Sequence, residues 1–346
     1  KESVRKHRQR WNYLKEQKRN CRMKILFTSV GRRVELIQAF QKAAKDLGKD
    51  LTIIGGDFSD TAPALYFCDK TKKLCKITDP HYIPTLLEIC EKEKVDCLIP
   101  TIDTDLLILA QNKERFEHRG TKVLISTENK VKLCRDKRYT ADYFLSLGLK
   151  SPIPVDNILQ YHGRFPAFIK PKDGSSSINA YKVENENDLK TYAEKIQNYI
   201  VQPFISGKEF TIDIFCDYEG NPVYITPRER MAVRAGEVLK TRIYQDEKMI
   251  SEMKLLVEDY KPCGQITVQL IQDEVTGENY YIEINPRFGG GAPLSIKAGA
   301  DSAKAVIEML QGKKLEYIPM AAKDGAIYSR YDQSICINEE NVNDPD

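Results

Sequence analysis

Histidine is scarce in this chain, with four in 346 residues at positions 7, 81, 118 and 162, too far apart for a histidine-rich transition-metal site. No CxxC occurs, and the nine cysteines at 21, 68, 75, 90, 97, 134, 216, 263 and 336 show no zinc-type pairing. An odd number of scattered thiols in a long chain reads as reduced cysteine in a cytoplasmic protein. GxSxG, HExxH, a Ser-His-Asp motif and the GxxxxGK[ST] loop are all missing, which removes the common hydrolase, metalloprotease and P-loop readings. No uncharged run approaches the ~20 residues of a membrane span. Internal repeats and low-complexity tracts are also lacking.

What is present is ample core material: 41% hydrophobic and 30% charged residues, in a length that suits about two to three domains. The net charge of +3 is unevenly spread. Residues 1–22 hold nine Lys/Arg against Glu2 and Glu16, which leaves about −4 for residues 23–346. A mildly acidic body gives no case for nucleic-acid binding. The basic segment 1–22 lacks the apolar stretch of a signal peptide. It reads either as an arm for RNA or anionic lipid or, more simply, as an extension with Met23 opening the working protein. The segment 331–346 is a C-terminal tail.

Strands alternate with helices in the first third. KILFT (24–28), LTIIGGD (51–57), VDCLIP (95–100) and KVLIS (122–126) read as buried strands. Helices are expected from Val34 to Gly48 and over 81–94 and 104–116. This order argues for an open, mostly parallel sheet. SVGRR follows the first strand and sets a glycine near a helix N-terminus, where anions can bind, but a plain strand-to-helix turn is the simpler account. A second unit starts near 129, with a helix over 136–148, strands at 167–172, 178–183 and 200–205, and a helix over 185–199. Thereafter strands dominate: EFTIDIFCD, PVYIT, GQITVQLIQ and ENYYIEINP.

GQITVQLIQDEVTGENYYIEINPRFGGG (264–291) is the strongest local signal. If DEVTGEN is a turn centred near 276, Gln269 lies opposite Glu283, and Asn285 leaves the same face two residues on. Three hard oxygens then converge, a set suited to Mg²⁺. Arg287 is two residues further along that face, placed for phosphate oxygens, and Gly289–Gly291 permit close backbone approach. Lys170 and Lys172 alternate onto one strand face directly before DGSSS (173–177), a loop of backbone N–H groups and hydroxyls able to wrap phosphate. VQPFISGKE (201–209) is an extended segment that can offer backbone groups to a base edge, with Phe204 and Ile205 over its face and Glu209 for ribose hydroxyls.

In this order the pieces resemble the ATP-grasp superfamily over roughly 23–330, most closely its single-module, carbamoyl-phosphate-synthase-like carboxylate–amine ligases. EINPRFGGG with Gln269 carries the likeness most specifically, and PRERMAVRAGE (227–237) adds to it. The resemblance implies an α/β chain in which a Rossmann-like open parallel-sheet domain (23–128) precedes an ATP-grasp lobe with a lid (129–205) and a second lobe with the metal site (206–330). ATP would lie between two antiparallel sheets. On matching positions, Lys137 and Lys170 contact phosphate, DGSSS is the flexible lid loop, Gln202, Pro203, Phe204 and Ile205 read adenine, and Glu209 holds ribose; Gly174, Ser175 and Ser176 of that loop, and Lys172 from the strand before it, are expected to bind ATP as well. Gln269, Glu283 and Asn285 become ligands for Mg²⁺, with Mn²⁺ as a substitute, and Arg287 stands beside the transferring phosphoryl. Arg228, Arg230 and Arg234 are candidates for the acidic substrate, of which the PRERMAVRAGE match favours Arg230 and Arg234. Two departures stand out: Gln202-Pro203 where glutamate is common in the hinge, and a short serine-rich lid loop that argues against a biotin carboxylase.

The implied activity is ATP-dependent activation of a small carboxylate as an acyl phosphate, attacked by an amine or similar nucleophile. The alternative is an ATP-binding module or subunit of a larger carbamoyl-phosphate-synthase-like complex. Expected partners are small carboxylate and amine substrates, with no membrane or nucleic acid, and a homodimer is compatible with this reading. An NAD-dependent oxidoreductase, the remaining reading, rests only on SVGRR and the first βαβ unit and leaves the EINPR hairpin unexplained.

Overall fold

The computed structural model describes residues 22–172 and 179–337. The basic segment 1–21, the tail from 338 and the lid residues Gly174, Ser175 and Ser176 lie outside the described residues.

The N-terminal domain is a parallel sheet of five strands: β1 (Met23–Thr28), β2 (Leu51–Asp57), β3 (Lys70–Lys73), β4 (Cys97–Pro100) and β5 (Lys122–Val123), in the order β3-β2-β1-β4-β5. Helices α1 (Val34–Asp46), α2 (Tyr82–Glu93), α3 (Leu106–Gln111) and α4 (Lys113–Glu117) connect them. The expected helix over 104–116 is broken in two at Asn112, whose amide donates to Ile108 O at 2.8 Å. The last strand is shorter than KVLIS promised. The polar edge strand β3 (KTKK) carried no apolar alternation to reveal it.

Two helices, α5 (Glu128–Arg135) and α6 (Lys137–Ser146), lead into the second unit. Asp136 caps α6 by accepting from Arg138 N at 2.9 Å. A small antiparallel sheet, β7-β6-β8, follows from β6 (Ala167–Pro171), β7 (Tyr181–Val183) and β8 (Tyr199–Pro203), backed by α7 (Glu186–Lys195). The third unit is a sheet of six strands: β9 (Gly207–Cys216), β10 (Pro222–Arg234), β11 (Glu237–Ile243), β12 (Gly264–Asp273), β13 (Asn279–Asn285) and β14 (Ile327–Ser329), in the order β13-β12-β9-β10-β11-β14. Helices α8 (Glu247–Tyr260), α9 (Ala292–Ala298) and α10 (Ser302–Leu310) complete it. The sequence reading missed these three helices and β11. For α8 the signal was present, since Met249, Ile250, Met253, Leu256, Val257 and Tyr260 are buried at helical spacing.

One face of the six-stranded sheet is apolar. Phe210, Leu270 and Tyr281 sit side by side on it and pack with Phe144 of α6 and Met253 of α8. The other face is polar and looks across at the small sheet. The two larger units share a core, in which Phe27, Phe40 and Phe288 form an edge-to-face chain with centroids 5.0 and 5.9 Å apart. That chain anchors the residue after Arg287 against the N-terminal domain.

Candidate active site

The polar face is built by register. Arg228, Thr211, Gln269 and Glu283 pair across β10, β9, β12 and β13 as one transverse row, and Thr226, Asp213, Thr267 and Asn285 form the next. Gln269 does lie opposite Glu283, but one device was not foreseen. The pairing jumps from Gln269–Glu283 to Leu270–Tyr281, leaving Ile282 as a bulge. Strict alternation would send Glu283 to the same side as Tyr281, into the core. The bulge lets Tyr281 stay buried while Glu283 faces the cleft.

A cleft of about 550 Å³ separates this face from the small sheet. It is lined by Lys137, Lys170, Glu209, Arg230, Gln269, Glu283, Asn285 and Arg287, and by the whole Gln202–Ile205 segment. Lys170 is 6% exposed. Its burial pushes its pKa down to about 8, against the opposing pull of Glu283 and with a further push from Lys137. Such a cation lacks full compensation in the protein and is suited to an arriving anion. Glu209 meets Arg230 Nε at 3.2 Å on the rim. Phe204 packs near Phe168, with centroids 6.3 Å apart, beneath the Lys182 ammonium. The Phe204 N–H is spent on Pro166 O.

Two expected residues stand elsewhere. Lys172 does not line the cleft; β6 ends at Pro171, so the alternation stops, and Lys172 turns to Asp136 and Asp156 at 3.5 and 3.6 Å. Arg234 ends β10 outside the cleft lining, 60% exposed and paired with Asp332 at 2.9 Å. Arg228 is the arginine that the sheet buries. It is 2% exposed and held by Asp213, which also accepts from Thr267 and Ser295. Arg287 reaches Asp103 of the N-terminal domain at 2.5 Å. Among the described residues, Arg228 Nη1, Thr211 Oγ1 and Arg287 Nε are buried without a hydrogen-bond partner. Orphan donors at the floor of a cleft mark where ligand oxygens belong.

The donor set fits a phosphate-borne cation rather than a resident metal. Among the described residues no three His, Cys, Asp or Glu side chains group closely enough to hold an ion alone. One carboxylate flanked by two amides is what Mg²⁺ needs when phosphates and water complete its shell. Asn285 donates to Glu283 at 2.9 Å, which fixes both side chains and leaves the amide oxygen for a cation. Nucleophilic thiol chemistry is disfavoured: Cys134 lines the cleft, but burial pushes its pKa up to about 12.

The sequence reading missed Asp103, Thr104 and Glu237 as cleft residues and left Arg33 in a plain turn. Arg33 and Asp103 follow β1 and β4, the adjacent strands at which the parallel sheet reverses its order. That reversal was the available signal.

An antiparallel pair of sheets enclosing a phosphate-ready cleft, behind an open parallel sheet, is the arrangement of the ATP-grasp fold. Residues 134–291 match the ATP-grasp domain family, and residues 25–124 match the PylC-like N-terminal domain. The chain thus carries an ATP-grasp domain behind a PylC-like N-terminal domain. It is 28% identical over 268 residues to the arginine-specific carbamoyl phosphate synthase large chain of Arabidopsis thaliana chloroplasts, covering 68% of this chain and 22% of that one. It is 25% identical over 273 residues to a carbamoyl-phosphate synthase of Methanobrevibacter smithii, covering 69% and 72%. The chain thus spans about a fifth of the first relative and nearly three quarters of the second. Among solved structures, the biotin carboxylase domain of Hydrogenobacter thermophilus 2-oxoglutarate carboxylase, in complex with MgADP, ADP and bicarbonate, superposes with a TM-score of 0.69 at 18% identity, covering 89% of this chain and 73% of that one. That likeness is one of fold. No helix among the described residues is long and apolar enough to cross a membrane.

Proposed function

We propose that the chain is a Mg²⁺-dependent ligase that activates a small carboxylate as an acyl phosphate for attack by an amine or similar nucleophile, releasing ADP and phosphate. The observation that carries this reading is the transverse row Arg228–Thr211–Gln269–Glu283, which sets an amide beside a carboxylate and a buried guanidinium whose Nη1 has no partner on one wall.

Lys170 and Lys137 neutralise the nucleotide phosphates on the side of the small sheet. Gln202, Pro203, Phe204 and Ile205 take the adenine, Glu209 the ribose, and Gln269, Glu283 and Asn285 the Mg²⁺. Held by these three side chains, such an ion would supply positive charge to the nucleotide phosphates. Arg287 faces the transferring phosphoryl group, and Arg228 and Arg230 supply charge for the acid. A carboxylate oxygen attacks the γ-phosphorus as the bond to ADP breaks. The amine nitrogen then attacks the acyl carbon, phosphate departs, and the amine gives up a proton. Positioning and charge cancellation carry such a reaction, which suits a site with no activated nucleophile. In this reading the protein works on small molecules in the cytoplasm, singly or as a homodimer.

Phosphate release screened over carboxylate and amine pairs tests it. One or more pairs are expected to drive ADP formation, and Glu283→Gln is expected to abolish it while leaving thermal unfolding intact. Wild-type turnover in Glu283→Gln would overturn the assignment.

A further inference from the structure

SVGRR has so far been given no role, yet the structure brings its second arginine into the cleft wall. Arg33 is 19% exposed. Its acceptors are Glu237 Oε1 and Thr101 O, both at 3.5 Å, the outer limit of hydrogen bonding. Burial, followed by the nearby charge of Arg287, lowers its pKa. It is a largely buried cation with slack coordination. Between Arg33 and Glu237 lies Gly290, where any Cβ would run into both the Glu237 carboxylate and the Arg33 guanidinium. The close approach therefore depends on the missing side chain.

Asp103 lies at the end of the neighbouring strand and touches Arg287 at 2.5 Å. The cleft lining thus presents Arg33 and Arg287 together with Asp103 and Glu237, two charges of each sign, with Arg330 outside the lining at 3.6 Å from Glu237. A purely anionic ligand would meet two carboxylates there, and a purely cationic one two guanidinium groups. The complement is a molecule that carries both signs. Its position adds direction, because an ammonium at Asp103 sits directly beside Arg287.

We infer that the crevice between the ends of β1 and β4 is the acceptor subsite, with Arg33 taking a carboxylate of the acceptor and Asp103 its amine, so that the nucleophile is an amine that also bears a carboxylate. The inference rests on the ligase reading and names its second substrate class. Arg33 is then a specificity residue, and Gly290 keeps its reach open.

The test uses the full chain with ATP and Mg²⁺. Hydroxylamine, a nucleophile without a carboxylate, first traps acyl phosphate from a panel of acids as hydroxamate. Free amino acids are then compared as acceptors with their amides, which keep the amine and lose the carboxylate charge. Amino acids are expected to exceed their amides by about 10- to 100-fold in kcat/KM, the value of a charge-assisted hydrogen-bonded contact. Arg33→Ala is expected to collapse that ratio to within about threefold, chiefly through the acceptor KM, and Arg33→Lys to restore part of it. Absence of hydroxamate from every acid overturns the ligase reading and this assignment with it. Hydroxamate formation with amides as good as amino acids overturns the assignment alone, in wild-type protein and without any variant. A wild-type preference retained in Arg33→Ala does the same.

Discussion

ATP binding is expected to draw a proton onto Lys170. In the free protein burial holds this ammonium at a pKa of about 8, below the ordinary 10.5 of lysine. Phosphate oxygens beside it reverse the balance, since an adjacent anion favours the charged form. If the bound-state pKa returns to 10 or above, proton uptake follows from the fraction that was neutral beforehand. That fraction is about 0.1 at pH 7, about 0.5 at pH 8 and about 0.9 at pH 9. Isothermal titration calorimetry of ATP into the chain, in two buffers of different ionisation enthalpy, reads the number directly. Lys170→Met removes the group and is expected to lose the uptake, together with about 10- to 100-fold in ATP affinity. Uptake that does not rise from pH 7 to pH 9, or that persists unchanged in Lys170→Met, would refute the placement of Lys170 against the phosphates.

Asp105 is buried within the N-terminal domain, where burial raises its pKa to about 6 despite hydrogen bonds from Thr28, Ser29 and Tyr82. The folded protein therefore prefers the protonated form, and the associated stability is present below about pH 4 and lost as pH rises through 6. Asp105→Asn is expected to stabilise by about 1–3 kcal/mol at pH 7.5 and by little at pH 4, read from denaturant melts at both pH values. Arg228→Met strands the Asp213 carboxylate in the sheet and is expected to cost about 3–5 kcal/mol, whereas the double change with Asp213→Asn recovers much of it in a double-mutant cycle. Gly290→Ala and Gly291→Ala are expected to part ways. The first displaces the movable Glu237 and Arg33 side chains and raises the acceptor KM with little change in Tm; the second drives a methyl into the Arg228 guanidinium, which Asp213 holds in place, and lowers Tm by several degrees.

The hairpin was legible because its two strands alternate and its turn is marked, so the opposition of Gln269 and Glu283 followed from counting. The same counting did not reveal the Ile282 bulge, for a bulge changes facing without changing composition. Lys172 was misplaced for the converse reason, since the strand that supplied the period stops one residue earlier at Pro171. The apolar runs of β1, β2 and β4 announced the parallel sheet, while β3 and the short β5 offered too few apolar residues to declare themselves. The cleft wall of the N-terminal domain was hidden most deeply. Arg287 and Asp103 are 184 residues apart, and the core shared by the two larger units, with Phe288 against Phe40, brings them together. Arg228 was visible as one of three arginines, but its burial, and the exposure of Arg234, depend on which end of β10 the neighbouring strands cover.

The central claim is that one wall of the cleft carries the metal ligands and the other the phosphate cations. A crystal structure of the chain with Mg²⁺ and a non-hydrolysable ATP analogue addresses it most directly. Triphosphate density is expected between Lys170 and Arg287, with the ion against Glu283 and Asn285 and the base at Gln202–Ile205. A nucleotide bound elsewhere, or an ion held away from Glu283, would contradict it.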